Sequence, residues 1–371
     1  MSESPVISHL IGISQQTPVV NGVFRSRPNR FVVRCVVHEQ EVDAFIPNPG
    51  RMGEILLPDT RLVLLDQGLS PGRKTRYTVM AAYVKDQVVF LHTHKSNQVA
   101  RHLIDTRRIP ALADYRVVRA EVPFGRSRFD FLLDGPEGPL FLEVKSCTLV
   151  ANGLAMFPDA VTDRGRRHMI ELAEMNAHGR PAAILFLIHN PSARYFLPDY
   201  HTDIRFSETF KEMEHALPVY ASAVGWRPDL TIEDRVAPVT IPWDVIRREV
   251  IDKGNVLILG RLNGLFTISL TAYGHALADR LRNDAVTKRK KGVYSVKDIF
   301  PVRSSINRTS AMLAALEALY GPPQERGPDD GCPETYTFQT RDDPARQPAF
   351  QDLILDFRMP ASLMDSHRPR G

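Results

Sequence analysis

The segment Glu121–Lys145, EVPFGRSRFDFLLDGPEGPLFLEVK, constrains the fold most, because its two turns set the register of three strands at once. Gly135-Pro136-Glu137-Gly138 is a four-residue turn signal between apolar runs. Gly125-Arg126 offers a two-residue turn with glycine first, as a type II′ hairpin requires. If Asp134 and Pro139 flank the longer turn symmetrically, Leu133 faces Leu140, Asp130 faces Glu143 and Arg128 faces Lys145. The shorter turn sets Glu121 opposite Asp130. Alternation sends Leu140, Leu142 and Val144 to one side and Phe141, Glu143 and Lys145 to the other. Glu121, Asp130 and Glu143 then share one sheet face, with Lys145 a step along. Facing acids repel, and a divalent cation such as Mg²⁺ would relieve that, since facing Cβ atoms about 5 Å apart let two carboxylates converge on one hard ion. A solvated face with the register slipped by one residue fits the same letters, so spacing alone leaves both readings open.

Asp130, a thirteen-residue step and Glu143-Val144-Lys145 also fit the D…ExK core of PD-(D/E)XK nucleases, a pattern short enough to arise by accident. Its surroundings are more specific. SRFDFLL, FLEVKSCTL and FPDAVTDRGRRHMIEL, with PNPGRMGE at Pro47–Glu54 upstream, closely resemble the sugar fermentation stimulation protein family, in that family's order, over roughly residues 20–228. The resemblance implies a multidomain fold: an all-β OB-like barrel, then an α/β restriction-endonuclease-like domain with a mixed sheet. It also implies DNA binding and nuclease activity. On the nuclease pattern, Asp130, Glu143 and the Val144 carbonyl hold Mg²⁺ or Mn²⁺. Lys145 lowers the pKa of the attacking water and stabilises charge on the phosphate, and Glu121 completes a second metal site if the registers hold.

The chain divides in expectation into an arm at 1–19, an OB-like domain at 20–95, a nuclease-like domain at 96–228 and an α+β region at 229–371. Phe31–Val37 and Glu41–Ile46 read as a hairpin about His38-Glu39-Gln40. Arg61–Leu65, Tyr77–Val84 and Val88–Leu91 complete five short strands, which suits a small barrel. The basic loop with Arg73, Lys74 and Arg76, and Arg25, Arg27 and Arg30 near Phe24, Phe31 and Tyr77, suit a strand-binding platform. They equally suit a solvated rim over core aromatics. Arg128 joins these candidate nucleic-acid contacts. Ser96 reads as the N-cap of a helix running through Arg107 and ended by Pro110.

Thr162 is the expected N-cap of a second helix, with Asp163 in its first turn and Gly179 past its end. Met169, Leu172, Ala173 and Asn176 form its expected buried stripe. Arg164, Arg167, His168 and Glu171 fall on the other face. Several PD-(D/E)XK enzymes place substrate-orienting residues on this helix, so Arg164 and His168 are candidates to contact phosphate, with Arg167 as a further nucleic-acid contact. A solvated face with an ion pair to Glu171 is the alternative. Ala182–Ile188 is apolar throughout, as a strand covered on both faces should be. Phe206–Ala216 reads as a helix and Val219–Val224 as a strand.

Beyond Asp229 the resemblance stops. Asp244–Asp252 reads as a helix, Val256–Leu259 and Leu265–Leu270 as strands, Met312–Tyr320 as a helix and Gly321–Glu334 as a loop. The strand ending in Leu-Thr-x-x-Gly and running on to Leu281 resembles the wing of winged-helix DNA-binding domains, and Lys288–Lys291 is a basic run. Specificity, dimerisation and partner-docking roles stay open for this region, and so does oligomeric state, a homodimer included.

A net charge of +4 permits a polyanionic partner without requiring one. Cys35, Cys147 and Cys332 are too few and scattered for zinc or a disulfide framework, which points to reduced cytoplasmic thiols. No apolar run approaches the roughly 18 residues of a membrane span, and the first residues lack a secretory pattern. The expected activity is metal-dependent hydrolysis of DNA, with RNA as the alternative substrate. A non-cleaving DNA-binding or regulatory protein on a nuclease scaffold is the competing class. No sugar-binding signature is present.

Overall fold

A computed structural model describes residues 17–50, 52–53, 55–57, 59–69, 71–248, 253–262, 265–274, 295–303, 309–329, 332–341, 348–360 and 363. The chain forms two compact units, residues 1–199 with 203–243, and 200–202 with 244–371.

In the first unit β1 (Val19–Asn29), β2 (Val32–Val37), β3 (Gln40–Phe45), β4 (Arg61–Asp66) and β5 (Tyr77–Val84) make a closed five-stranded OB barrel. β1 pairs antiparallel with both β2 and β4, and a short parallel contact between β3 and β5 closes the ring. The β2–β3 hairpin turns on His38 and Glu39, both left-handed with φ of 48° and 65°, the geometry of a type I′ turn. Alternating residues of the barrel strands, among them Phe24, Val33, Cys35, Leu62 and Val79, fill its core.

The barrel strand missing from the expected five is β1, which begins at Val19, inside the segment expected to be an arm. Its Arg- and Ser-rich letters hide the alternation carried by Phe24 and its neighbours. Val88–Leu91, counted as the fifth barrel strand, has another task. As β6 (Gln87–Phe90) it pairs with β5 and, through Val88 opposite Trp226, with β14 (Val219–Trp226).

That pairing makes one twelve-stranded sheet of the barrel and the α/β region. Beyond β6 the order runs β14, β12 (Ala182–Ile188), β9 (Gly138–Cys147), β8 (Ser127–Gly135) and β7 (Arg116–Phe124). β12 lies parallel to both neighbours, whereas β7, β8 and β9 form an antiparallel meander, so the sheet is mixed as expected. Every residue of β12 is buried. A separate three-stranded sheet has β10 (Leu149–Ala151) antiparallel and β13 (Tyr195–Pro198) parallel to β11 (Leu154–Phe157).

The seam between barrel and α/β region is stitched by side chains. Phe90 stacks on Trp226 with ring centroids 4.2 Å apart, and Trp226 Nε1 donates to His189 Nδ1 at 3.2 Å. The other ring nitrogen of His189 therefore carries the proton and meets Ser96 Oγ at 3.3 Å. Burial pushes the His189 pKa down to about 3, so this histidine stays neutral. Ser96 is thus not the cap of α1 (Ser96–Asp105): Lys95 occupies that position, and the Ser96 hydroxyl is drawn inward to His189. Val99, Ala100, Leu103 and Ile104 bury one face of α1 against Leu140, Leu142 and Val144 of β9. Each large side chain contributes about 1.5–3 kcal/mol.

α2 (Asp163–Ala177) is capped by Thr162, whose side chain accepts from Gly165 N at 3.0 Å, and Gly179 follows it with φ of 71°. α3 (Ile204–Glu212) packs beside it. β15 (Ile232–Pro238) adds antiparallel to β14, which places residues 229–243 in the first unit rather than with the C-terminal region.

The second unit is α+β. Its antiparallel sheet has the order β18 (Ser295–Arg303), β16 (Lys253–Leu262), β17 (Leu265–Gly274), β20 (Cys332–Thr340), β19 (Glu325–Asp329). α4 (Trp243–Arg248) leads into this unit. Met312 and Leu316 of α5 (Thr309–Tyr320) and Phe350 and Ile354 of α6 (Pro348–Arg358) pack on Ile268, Leu270 and Phe338. The Leu-Thr-x-x-Gly stretch ends a ten-residue strand paired on both sides, rather than a wing at a sheet edge. The expected loop 321–334 contains β19, whose Gly and Pro hide its edge pairing with β20. Residues 275–294, with the basic run Lys288–Lys291, lie outside the described residues, as do Arg51, Glu54 and most of the expected arm. No helix among the described residues is long and apolar enough to cross a membrane.

Candidate active site

The β7–β8–β9 meander keeps most of its expected register. Leu133 pairs with Leu140 and Asp134 with Pro139, and Phe124 pairs with Ser127 across the two-residue turn. The β8–β9 ladder extends only to Phe131 opposite Leu142. Phe131 joins the core beneath α1, but the Phe129 ring meets Phe141 and His168, which lie on the opposite side of the sheet. Regular alternation would put Phe129 and Phe131 on one face, so β8 changes face at Asp130.

The Asp130 side chain exploits that break. Its Oδ2 accepts the Val144 N–H at 2.8 Å, and its Oδ1 accepts from Asn97 Nδ2 of α1 at 2.6 Å. Glu143 is buried and receives two donors on a single oxygen. Lys145 Nζ lies 2.5 Å and His168 Nδ1 2.6 Å from Oε1, while Oε2 is buried with no hydrogen-bond partner.

The two acids titrate apart. Burial, then repulsion from Glu143, pushes the Asp130 pKa up to about 6. Burial also works to raise Glu143, but the His168 hydrogen bond and the Lys145 charge outweigh it and leave its pKa below the ordinary carboxylate range. A buried carboxylate oxygen without a donor, beside a second carboxylate that repels it, suits a hard divalent cation. Mg²⁺ is held by as few as one or two carboxylates with water completing its shell, so Asp130 and Glu143 fit it. No group of three or more His, Cys, Asp or Glu that could hold a metal occurs among the described residues.

Glu121 stays outside the pair. It falls opposite Asp130 between the pairs Ala120–Phe131 and Val122–Phe129, as the turn predicts. However, its backbone is left-handed, with φ of 56°, and its carboxylate binds Arg128 Nε at 2.6 Å in an exposed ion pair. Three acids flat on one face are therefore not formed, and Arg128 is occupied by Glu121.

His168 is the larger correction. It was expected on the open face of α2, yet it is 2% exposed and belongs to the buried stripe Gly165, His168, Met169, Leu172, Met175. Arg164 and Arg167 do stand on the exposed face. Arg164 Nε reaches back to His168 Nε2 at 3.4 Å, and Arg167 pairs with Glu171 at 3.7 Å.

Lys145 lines a cleft of about 450 Å³, which also takes in Val144, Asn97 and the Asn48-Pro49-Gly50 segment of the barrel. That segment is pinned by Arg27, which donates to the carbonyls of Asn48 at 2.8 Å and Gly50 at 2.7 Å, and by Asn48 Nδ2 on Leu91 O at 3.1 Å. Arg27 is thus a brace. Gly50 fits there because a Cβ would stand 1.9 Å from Asp159 Oδ2.

The basic loop is partly committed. Arg76 makes two bonds to Asp66 at 2.7 and 2.6 Å, and Arg73 donates to Thr78 Oγ1 at 3.0 Å, leaving Lys74 exposed. Phe24 and Tyr77 are buried, so of the three aromatics of the expected platform only Phe31 is exposed. Asn97 was not singled out from the sequence, where an asparagine near a helix start carries no signal of its partner.

Comparison with known proteins fits this architecture. Family models match twice: the SfsA N-terminal OB domain over residues 26–91, and the sugar fermentation stimulation protein RE domain over 94–229. A sugar fermentation stimulation protein homolog of Clostridium kluyveri is 38% identical over 213 residues, which cover 57% of this chain and 91% of the relative. One from Methanosphaera stadtmanae is 38% identical over 195 residues, covering 52% and 81%. A solved structure described as Pyrococcus furiosus SfsA in complex with Ca²⁺ matches with a TM-score of 0.55 at 28% identity, covering 60% of this chain and 96% of that one.

Proposed function

The chain belongs to the sugar fermentation stimulation protein family, and on that premise we propose that it is a divalent-metal-dependent phosphodiesterase acting on DNA, with RNA as the alternative substrate. One observation carries this reading: the buried Oε2 of Glu143, free of any donor, beside Asp130 and Lys145. A protein that only binds DNA gains nothing from a buried and a half-buried acid that both repel phosphate. The Ca²⁺ in the description of the Pyrococcus furiosus relative supports a hard-cation site.

Asp130 and Glu143, with the Val144 carbonyl, would hold Mg²⁺ or Mn²⁺. When bound, such an ion polarises the phosphate and makes water more acidic. Asn97 and the Val144 N–H orient Asp130. Lys145, on the cleft wall, presents its ammonium to the negative charge that develops on phosphate oxygens. Lys74, Arg164 and Phe31, each exposed, would contact a strand, with affinity that falls steeply with salt. The scattered cysteines, of which Cys35 and Cys147 are buried thiols outside any disulfide, support a cytoplasmic location.

The test is cleavage of labelled single- and double-stranded DNA and RNA with Mg²⁺, Mn²⁺ or EDTA, with Lys145→Ala alongside. Metal-dependent cleavage lost in the variant is expected. DNA binding without cleavage under every condition would replace the reading with a non-cleaving DNA-binding protein.

A further inference from the structure

The contacts of Glu143 are lopsided. Both donors that reach it converge on Oε1, and Oε2 receives none although it is buried. A buried carboxylate normally distributes donors over both oxygens, because each unsatisfied oxygen costs desolvation energy. The arrangement therefore directs one oxygen into the protein and reserves the other.

One of the two donors, Lys145, is mobile in kind: an ammonium on a four-carbon stem that faces the cleft. The other is rigid. His168 is 2% exposed, on the buried stripe of α2, with its ring edge-on to Phe129 at a centroid distance of 5.8 Å. Its Nε2 faces Arg164 Nε at 3.4 Å. A guanidinium nitrogen can only donate, so Nε2 accepts and the single proton of the neutral ring sits on Nδ1, pointing at Glu143.

We propose that His168 is a positioning residue. Its Nδ1–H clamps Oε1 of Glu143, so that Oε2 is presented to a divalent cation when Lys145 turns toward phosphate, and Arg164 fixes the ring in the tautomer that can do this. The inference rests on the reading of Asp130 and Glu143 as cation ligands. It replaces the expectation that His168 touches substrate, since a residue this buried does not reach a phosphate.

The position of the donor atom makes the idea testable. Asparagine at 168 places its amide nitrogen where Nδ1 stands, glutamine places it where Nε2 stands, and leucine supplies no donor. Mn²⁺ affinity of the full chain, followed by electron paramagnetic resonance without any nucleic acid, is the readout, and thermal melting of the metal-free forms controls for folding. His168→Asn should bind Mn²⁺ within about threefold of wild type. His168→Gln and His168→Leu should bind about 10–100-fold more weakly, the range for loss of a partner that orients a ligand. If the leucine variant does not fold, the two amides still decide. Equal affinity in the Asn and Gln variants would overturn the proposal, as would wild-type affinity in the leucine variant. Wild-type protein that binds Mn²⁺ tightly yet cleaves nothing would overturn the nuclease reading alone, leaving the clamp to be judged on the affinities. Wild-type protein that binds no Mn²⁺ would overturn both.

Discussion

Asp130→Asn should make the metal-free protein more stable at neutral pH while abolishing cleavage. Burial and Glu143 raise the Asp130 pKa from 3.8 to about 6, so the folded state holds its proton more tightly than the unfolded chain does. The stabilisation this provides is complete below about pH 3.8 and is lost as pH rises through about 6. The gap corresponds to about 3 kcal/mol of strain carried by the ionised side chain at pH 8, and to about 1 kcal/mol at pH 4.5. Asparagine keeps the shape and removes the charge. Its oxygen can still accept the Val144 N–H, and its amide can face Asn97 once that side chain turns its own oxygen inward. The melting temperature of the first unit in EDTA should therefore rise by about 5–10 °C at pH 8, and by much less at pH 4.5. Calorimetry at the two pH values reads this directly. A variant no more stable than wild type at pH 8, or one with the same gain at both pH values, would refute the electrostatic account of the site.

Glu143 should behave in the opposite sense. Its pKa lies below the ordinary value, so its charge stabilises the fold above about pH 4.5 and that contribution fades as pH falls; Glu143→Gln should cost about 1–3 kcal/mol at pH 8, measured by urea unfolding. Mn²⁺ at 100 times its Kd should stabilise wild type by about 2.7 kcal/mol and leave Asp130→Asn unchanged in a thermal-shift titration. Thr162→Ala removes the cap of α2 and should cost about 1 kcal/mol, with a lower melting temperature at every pH. In salt titrations of DNA binding, Lys74→Ala should reduce the slope by about one counterion, whereas Arg76→Ala should change it little because Asp66 already holds that guanidinium.

The elements whose evidence is local were legible in the letters. The GPEG and Gly-Arg turns, the alternation of Leu140, Leu142 and Val144, the Thr162 cap with Gly179 beyond, and the apolar run Ala182–Ile188 each depend on neighbours within a few residues, and each stands where the sequence predicts. The match of SRFDFLL, FLEVKSCTL and the α2 segment to one family likewise needed no coordinates.

Tertiary structure decided whatever depends on residues distant in sequence. That β6 joins β14, making barrel and α/β region one sheet, rests on a pairing between Val88 and Trp226 that no local pattern announces. The change of face at Asp130, the turning of Glu121 to Arg128, and the meeting of Asn97 with Asp130 are all settled by packing between elements. His168 is the clearest case: a polar letter assigned it to the open face of its helix, but a carboxylate 25 residues earlier in the chain supplied the partner that made its burial possible. Periodicity reports which positions face inward only when those residues are apolar. A buried polar side chain is stabilised by a specific partner, and the partner is visible only once the chain has folded.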